Sequence, residues 1–290
     1  MRLVITGASG QLGTDLQHVL SGNEVIALSH KDFDITDARR VWELISTLRP
    51  DVVINTAAYV RVDDCETNRD QAYAVNAIGA RNVAAACHGI GAKIVHISTD
   101  YVFGGESSKD KTPYNEFDTE PVPMNTYGWS KLAGERLVQH ICPRHFIIRT
   151  SGLFGRAGSS GKGGNFIETI LKLGRERSEL KVVDDQVFSP TYTHDLARRI
   201  ARLLGTDCFG IFHVTNRGAC SWYELALEVA KLATLEVKIL PIPSSQYPQK
   251  AKRPAYSVLD NYHLRLMGMD DMRPWPEALR DYMTVKGHIH

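Results

Sequence analysis

The sequence predicts an α/β protein, a doubly wound parallel sheet followed by a smaller C-terminal domain. Three observations carry this. Short β-branched runs alternate with helical patterns through the first half of the chain. Those runs are almost continuously apolar, as strands buried on both faces of a parallel sheet must be. After Arg149 the alternation gives way to a Gly- and Ser-rich stretch, residues 151–165, and later to a proline-rich one between Pro241 and Pro276.

The candidate strands are residues 3–6, 24–28, 52–55, 93–97 and 146–149, with 181–183 and 211–214 further on. Between the first two, Leu12, Leu16, Val19 and Leu20 repeat at helical spacing and share one face. Asp34 or Thr36 is placed to cap a helix over residues 37–48. Strand–helix alternation of this kind puts helices on both faces of one sheet. Residues 1–150 are therefore expected to form a dinucleotide-binding domain, with segments near 181–216 returning to it. Residues 151–290 are expected to form mainly a substrate-binding domain, and the run 151–165 a mobile loop.

Bulk composition excludes several classes. Lys and Arg total 34 against 33 for Asp and Glu, so no whole-molecule field attracts nucleic acid or an anionic membrane. Any anionic ligand must be held by locally placed groups. The five cysteines are far apart and form no C-x-x-C, which fits reduced thiols in the cytoplasm. The chain opens directly on a strand with no signal-peptide pattern, and no apolar run reaches membrane-spanning length.

Gly7-Ala-Ser-Gly10-Gln11-Leu12-Gly13 follows the first strand and opens the first helix. Glycines permit the tight turn and close approach of a pyrophosphate, and the helix N-terminus offers N–H groups and a favourable dipole. This context makes the predicted fold Rossmann-type. At the end of the second strand stand Ser29, His30 and Lys31, with no carboxylate before Asp32. A strict NAD reader carries an acid there, so the expected cofactor is NADPH, with NADH the alternative. Asn55-Thr-Ala57-Ala58-Tyr59 closes the third strand with small residues suited to packing on a dinucleotide, and Asp34-Ile35 sits where an adenine would be received.

Tyr127-Gly-Trp-Ser-Lys131 places a phenol and an ammonium one helical turn apart. The ammonium favours phenolate and so should lower the tyrosine pKa, which suits proton donation to a carbonyl. Thr99, at the end of the fourth strand, could donate to the same carbonyl oxygen. Tyr282-Met-Thr-Val-Lys286 repeats the spacing and is taken as coincidence. Among local cations, Arg253 in Ala251-Lys-Arg-Pro254 is the candidate grip for a substrate diphosphate. No metal-ligand cluster stands out, and Asp15 is read as a solvated carboxylate on the first helix.

Together these pieces resemble the dTDP-4-dehydrorhamnose reductase family of extended short-chain dehydrogenases. The matching motifs are Thr6–Gly13, Asn55–Tyr59, Ser98-Thr-Asp-Tyr-Val-Phe103, Pro123–Glu135, Ser189-Pro-Thr-Tyr192 and Ala251–Pro254. They run from the N-terminus past residue 250. The resemblance implies NADPH- or NADH-dependent reduction of the 4-keto group of dTDP-6-deoxy-L-lyxo-4-hexulose (dTDP-4-dehydrorhamnose) to dTDP-L-rhamnose. It implies Thr99, Tyr127 and Lys131 as catalytic. Gly7, Gly10, Gln11, Leu12, Gly13, Asp34, Ile35, Ala57, Ala58, Tyr59, Tyr127 and Lys131 would hold cofactor, joined by Ser29 and His30 from the strand-end reading. Thr99, Asp100, Tyr127 and Arg253 would touch substrate. Mg2+ enters only through the resemblance. The expected partner is the dTDP-sugar, with a homodimer left open. One departure is Gly152, where the family usually places a Trp facing substrate. Either the pocket is wider, or Leu153, Phe154 or Trp129 turns in to fill it. Rival readings are a 4-epimerase, a 4,6-dehydratase and a non-catalytic regulatory subunit like that of methionine adenosyltransferase. Tyr101 in place of a dehydratase Glu argues against elimination, and retention of Thr99, Tyr127 and Lys131 argues for catalysis.

Overall fold

The computed structural model describes residues 1–105, 111–117, 119–158 and 164–289. Its centre is a six-stranded parallel sheet built from β1 (Arg2–Thr6), β2 (Glu24–Leu28), β3 (Val52–Asn55), β4 (Lys93–Thr99), β5 (His145–Thr150) and β10 (Gly210–His213). The spatial order is β10-β5-β4-β3-β1-β2. The order reverses at β1, and the crevice between the carboxyl ends of β1 and β3 is where an open α/β sheet receives a ligand.

Helices α1 (Gln11–Val19), α2 (Ala38–Leu48), α5 (Ala80–Ile90), α6 (Thr126–Ile141) and α8 (Thr193–Leu204) flank this sheet. The alternation of side chains along each strand feeds two cores. Leu3 and Ile5 join Leu16, Ile54 and Ile200 on one face, while Val4 joins Val41, Ile45, Val53 and Val83 on the other. All are fully buried, each contributing roughly 1.5–3 kcal/mol of apolar transfer. Between β3 and α5 the chain runs through α3 (Val62–Thr67), α4 (Arg69–Tyr73) and a π-helical turn, Ala74–Gly79.

A third apolar cluster gathers β6 (Leu153–Phe154), α7 (Phe166–Glu176), β7 (Glu179–Val183), β8 (Val187–Phe188) and β9 (Thr191–Tyr192). It is completed by β11 (Cys220–Ser221), α9 (Trp222–Leu232), β12 (Lys238–Ile242) and, after α10 (Tyr262–Leu266), by α11 (Trp275–Val285). Of the two later candidate strands, 211–214 appears as β10 beside β5, whereas 181–183 lies in β7 and pairs with β12 in a separate two-stranded sheet. The expected loop 151–165 contains β6, which pairs with β9, and ends at Asn165, which caps α7. Its portion 159–163 lies outside the described residues.

Asp15 is not a solvated carboxylate. It shares the inner face of α1 with Leu12 and Leu16, is fully buried, and accepts a hydrogen bond from Thr193 Oγ1 at 2.5 Å. The helix packs that face on α8, which a single-helix reading could not know. Among the described residues, no helix is long and apolar enough to cross a membrane.

Candidate active site

The glycine loop leaves β1 through Gly7 at φ +69°, in the left-handed region that glycine adopts without steric cost. A side chain there would meet the Ala57 backbone nitrogen at 2.8 Å, so the loop packs directly against residues 56–57. Thr56 Oγ1 locks this contact by donating to the Thr6 and Gly7 carbonyls. Ala8 N–H donates to the Leu28 carbonyl, tying the loop to the end of β2. Helix α1 starts at Gln11 with no side-chain cap and no acid in its first turn. An uncapped N-terminus behind a tight glycine turn suits a diphosphate. Gly7 and Ala57 are thus in contact, with Gly10, Gln11 and Gly13 beyond them at the helix start and Ala58 and Tyr59 after β3, while the Leu12 side chain is buried in the core.

The strand-end group is arranged differently from expectation. Ser29 donates both its N–H and its hydroxyl to Asp32, which folds back onto the end of β2. His30 and Lys31 are exposed. Asp34 accepts from Thr36 in a local turn, and the helix cap is Asp37, which accepts from Arg40 N–H. Ile35 is buried and its carbonyl accepts from Asn82.

Thr99, Tyr127 and Lys131 come together at the carboxyl end of β4. Asn125 caps α6 by accepting from Gly128 N–H, which sets Tyr127 in the first turn. The Thr99 hydroxyl lies beside the Tyr127 phenol and favours its ionised form. Lys131 is buried and donates to the Ile97 carbonyl at 2.6 Å. Burial lowers its pKa to about 8, against an upward pull from Glu135. Burial also pushes the Tyr127 phenol up, with the nearby Thr99 hydroxyl opposing it. The expected fall of the Tyr127 pKa is therefore outweighed by desolvation.

Two expected substrate contacts are otherwise engaged. The Asp100 carboxylate is buried and accepts from Thr99 at 3.1 Å, Ser151 at 2.8 Å and Ser257 at 2.6 Å. It ties the end of β4 to residues beyond β5 and in the C-terminal stretch, and burial raises its pKa to about 6. Arg253 is not a free cation. It donates to Gln249 and to Asp63 (2.8 Å), beside Tyr101. Asp63 also accepts from Lys250 and Ala251 N–H. Residues 249–253 are thereby clasped to α3.

Several site residues escaped the sequence reading. Asn76, in the π-helical turn, accepts from Tyr59 N–H, donates to the Tyr59 carbonyl and reaches Ser130. Glu135, one turn beyond Lys131, holds Arg149 in a buried two-point ion pair at 2.7 Å. Glu66 accepts from Thr126 N–H and hydroxyl at the start of α6. The one available signal was a polar residue on an otherwise apolar helical face, as with Asn76 and Glu135.

Gly152 adopts φ +52°, and an added Cβ would lie 2.5 Å from Phe188 Cδ2 and closer to Cε2. Phe188 therefore occupies the space beside it. Phe154 is buried against Tyr192 and Trp129 is exposed on α6. The second Y-x-x-x-K copy is structural: Tyr282 donates to Glu168 and accepts from Asn165, and Lys286 reaches the Arg156 carbonyl. Among the described residues there is no cluster of three or more His, Cys, Asp or Glu able to hold a metal, so the residues present do not fit Mg2+.

A family model described as RmlD substrate binding domain matches residues 1–286. The chain is 44% identical to spore coat polysaccharide biosynthesis protein SpsK of Bacillus subtilis, covering 98% of each chain. It is 39% identical to a dTDP-4-dehydrorhamnose reductase of Streptomyces griseus, covering 97% of this chain and 92% of the relative. A crystal structure of a dTDP-4-dehydrorhamnose reductase from Clostridium acetobutylicum superposes with a TM-score of 0.93 at 45% identity, covering 98% and 99%. One from Bacillus anthracis, in complex with NADP, superposes at 0.92 with 42% identity, covering 98% and 99%. The chain belongs to the RmlD substrate binding domain family and is an NAD(P)H-dependent reductase of the dTDP-sugar 4-ketoreductase type.

Proposed function

We propose that this protein reduces the 4-keto group of dTDP-6-deoxy-L-lyxo-4-hexulose with NADPH, yielding dTDP-L-rhamnose. The observation that carries it is the convergence of Thr99, Tyr127 and Lys131 at the end of β4, beside the Gly7–Gly13 cradle. When bound, the nicotinamide supplies the hydride. Tyr127 gives its phenolic proton to the C4 oxygen, and Thr99 donates a hydrogen bond to that oxygen as charge develops. Lys131 stabilises the phenolate left behind and is placed to hold the nicotinamide ribose. Residues 151–290 supply mainly the substrate side, and Arg253 reaches the substrate through the segment it clasps. A cytoplasmic setting fits five cysteines that lie far apart in the sequence and form no C-x-x-C.

A second reading, reduction of another dTDP-4-keto-6-deoxy sugar, is favoured by the similarity to the spore coat polysaccharide protein. The test is NADPH and NADH oxidation by purified protein against a panel of dTDP-4-keto-6-deoxy sugars, with product stereochemistry read by NMR. Turnover confined to a different sugar would replace the rhamnose assignment. Tight retention of NAD with no net oxidation would replace it with epimerisation.

A further inference from the structure

The lysine of the site is reached from beneath by a row of polar side chains that crosses three strands. Thr6 in β1, Asn55 in β3 and His96 in β4 are register partners in the parallel sheet. Thr6 Oγ1 lies 2.7 Å from Asn55 Oδ1, and Asn55 Nδ2 lies 3.2 Å from His96 Nδ1. His96 Nε2 lies 3.5 Å from Lys131 Nζ. All four side chains are at most 2% exposed, so no solvent competes for these bonds. We propose that His96 is the positioning residue for Lys131: a neutral imidazole whose Nε2 lone pair holds the ammonium, with its tautomer set by Asn55.

The donor and acceptor inventory forces this arrangement. An ammonium has three donors and no acceptor, so the nitrogen facing it must present a lone pair. The imidazole proton then sits on Nδ1 and needs an acceptor. The Asn55 carboxamide is the group within reach; the structure turns its Nδ2 towards His96 and its Oδ1 towards Thr6, and the proposal turns it over, so that the oxygen accepts from His96 and the NH2 faces Thr6. The two ends of a carboxamide fill nearly the same space, and the network decides between them. Burial, with the Lys131 charge beside it, holds the His96 pKa well below the ordinary value, so the ring stays neutral. Glu135 on α6 is the acid that acts on Lys131, and it is itself paired with Arg149. Asp100 and Cys65 act on Tyr127 instead. With Ile97, His96 thus fixes the ammonium one turn below the phenol, while Thr6 anchors the row at the strand that launches the glycine loop.

The proposal rests on Lys131 being catalytic, and the experiment separates the two. Lys131→Met reads the catalytic assignment alone; retained turnover would overturn it. For His96, imidazole 15N NMR of the native protein should show the Nδ1–H tautomer at pH 7, and Nε2–H would overturn the proposal without any activity measurement. A hydrogen bond from the charged ammonium raises a lysine pKa, so losing it lowers that of Lys131. His96→Leu should move the alkaline limb of kcat down by about one pH unit, lower kcat roughly tenfold and raise cofactor KM. His96→Gln, whose carboxamide oxygen can take the place of Nε2, should restore the limb. An alkaline limb at the native pH in a folded His96→Leu protein would overturn the proposal. Should that variant not fold, the tautomer and the His96→Gln profile decide.

Discussion

Replacing Gly152 with alanine adds one methyl group at the point where the chain leaves β5 for β6. Two costs follow. At φ +52° a residue with a Cβ pays about 1–2 kcal/mol for the left-handed conformation. The new Cβ also falls 2.5 Å from Phe188 Cδ2, and that ring cannot simply retreat, because its centroid is 4.0 Å from that of Trp222 in the third apolar cluster. Overpacking of this kind costs about 1–3 kcal/mol. The expected loss is about 2–5 kcal/mol, or about 4–10 °C in Tm at roughly 2 °C per kcal/mol for a chain of this length. Thermal melts of native, Gly152→Ala and Phe188→Leu proteins and of the double variant give the two costs separately. In the Phe188→Leu background the packing part should shrink and the backbone part persist. A Gly152→Ala protein melting within a degree of native would refute the reasoning. Gly152→Trp should then lose more stability still, rather than tighten sugar selectivity as an open pocket would require.

Tyr127→Phe should lower turnover about a hundredfold or more with little change in cofactor affinity. Tyr282→Phe should leave turnover intact but cost about 1–3 kcal/mol, because Asn165 and Glu168 lose a buried partner; equal losses of turnover would overturn the distinction. Asp100 has its folded pKa raised from 3.8 to about 6 by burial. Its stabilising protonated form is therefore fully favoured below about pH 4 and lost as pH rises through 6, a change of about 3 kcal/mol at most. Asp100→Asn should flatten that limb of Tm against pH, and parallel curves from pH 4 to 7 would contradict it. If the clasp matters, Arg253→Ala and Asp63→Asn should both raise substrate KM several-fold and spare cofactor KM. A rise from Arg253→Ala alone would mean that the guanidinium grips the diphosphate directly.

Local spacing determined much of this protein. Apolar runs, helix periodicity and the glycine turn are set by neighbours along the chain, so the parallel sheet and the residues gathered around Gly7–Gly13 and Tyr127–Lys131 were legible before any coordinates. The tertiary structure decided whatever depends on a partner distant in sequence. Residues 181–183 pair with β12 because that strand returns to place residues 240–242 beside them. Asp15 is buried because α8 closes over it, and Arg253 is engaged because α3 supplies Asp63 from 190 positions away. Whether Gly152 left a pocket depended on the ring of Phe188, thirty-six residues on. A charge or a gap has no fixed meaning until the fold supplies its neighbours, since desolvation and hydrogen bonding act through space. The row Thr6–Asn55–His96–Lys131 shows the same division. Each residue is visible in its own strand or helix, and only sheet register brings them into one line.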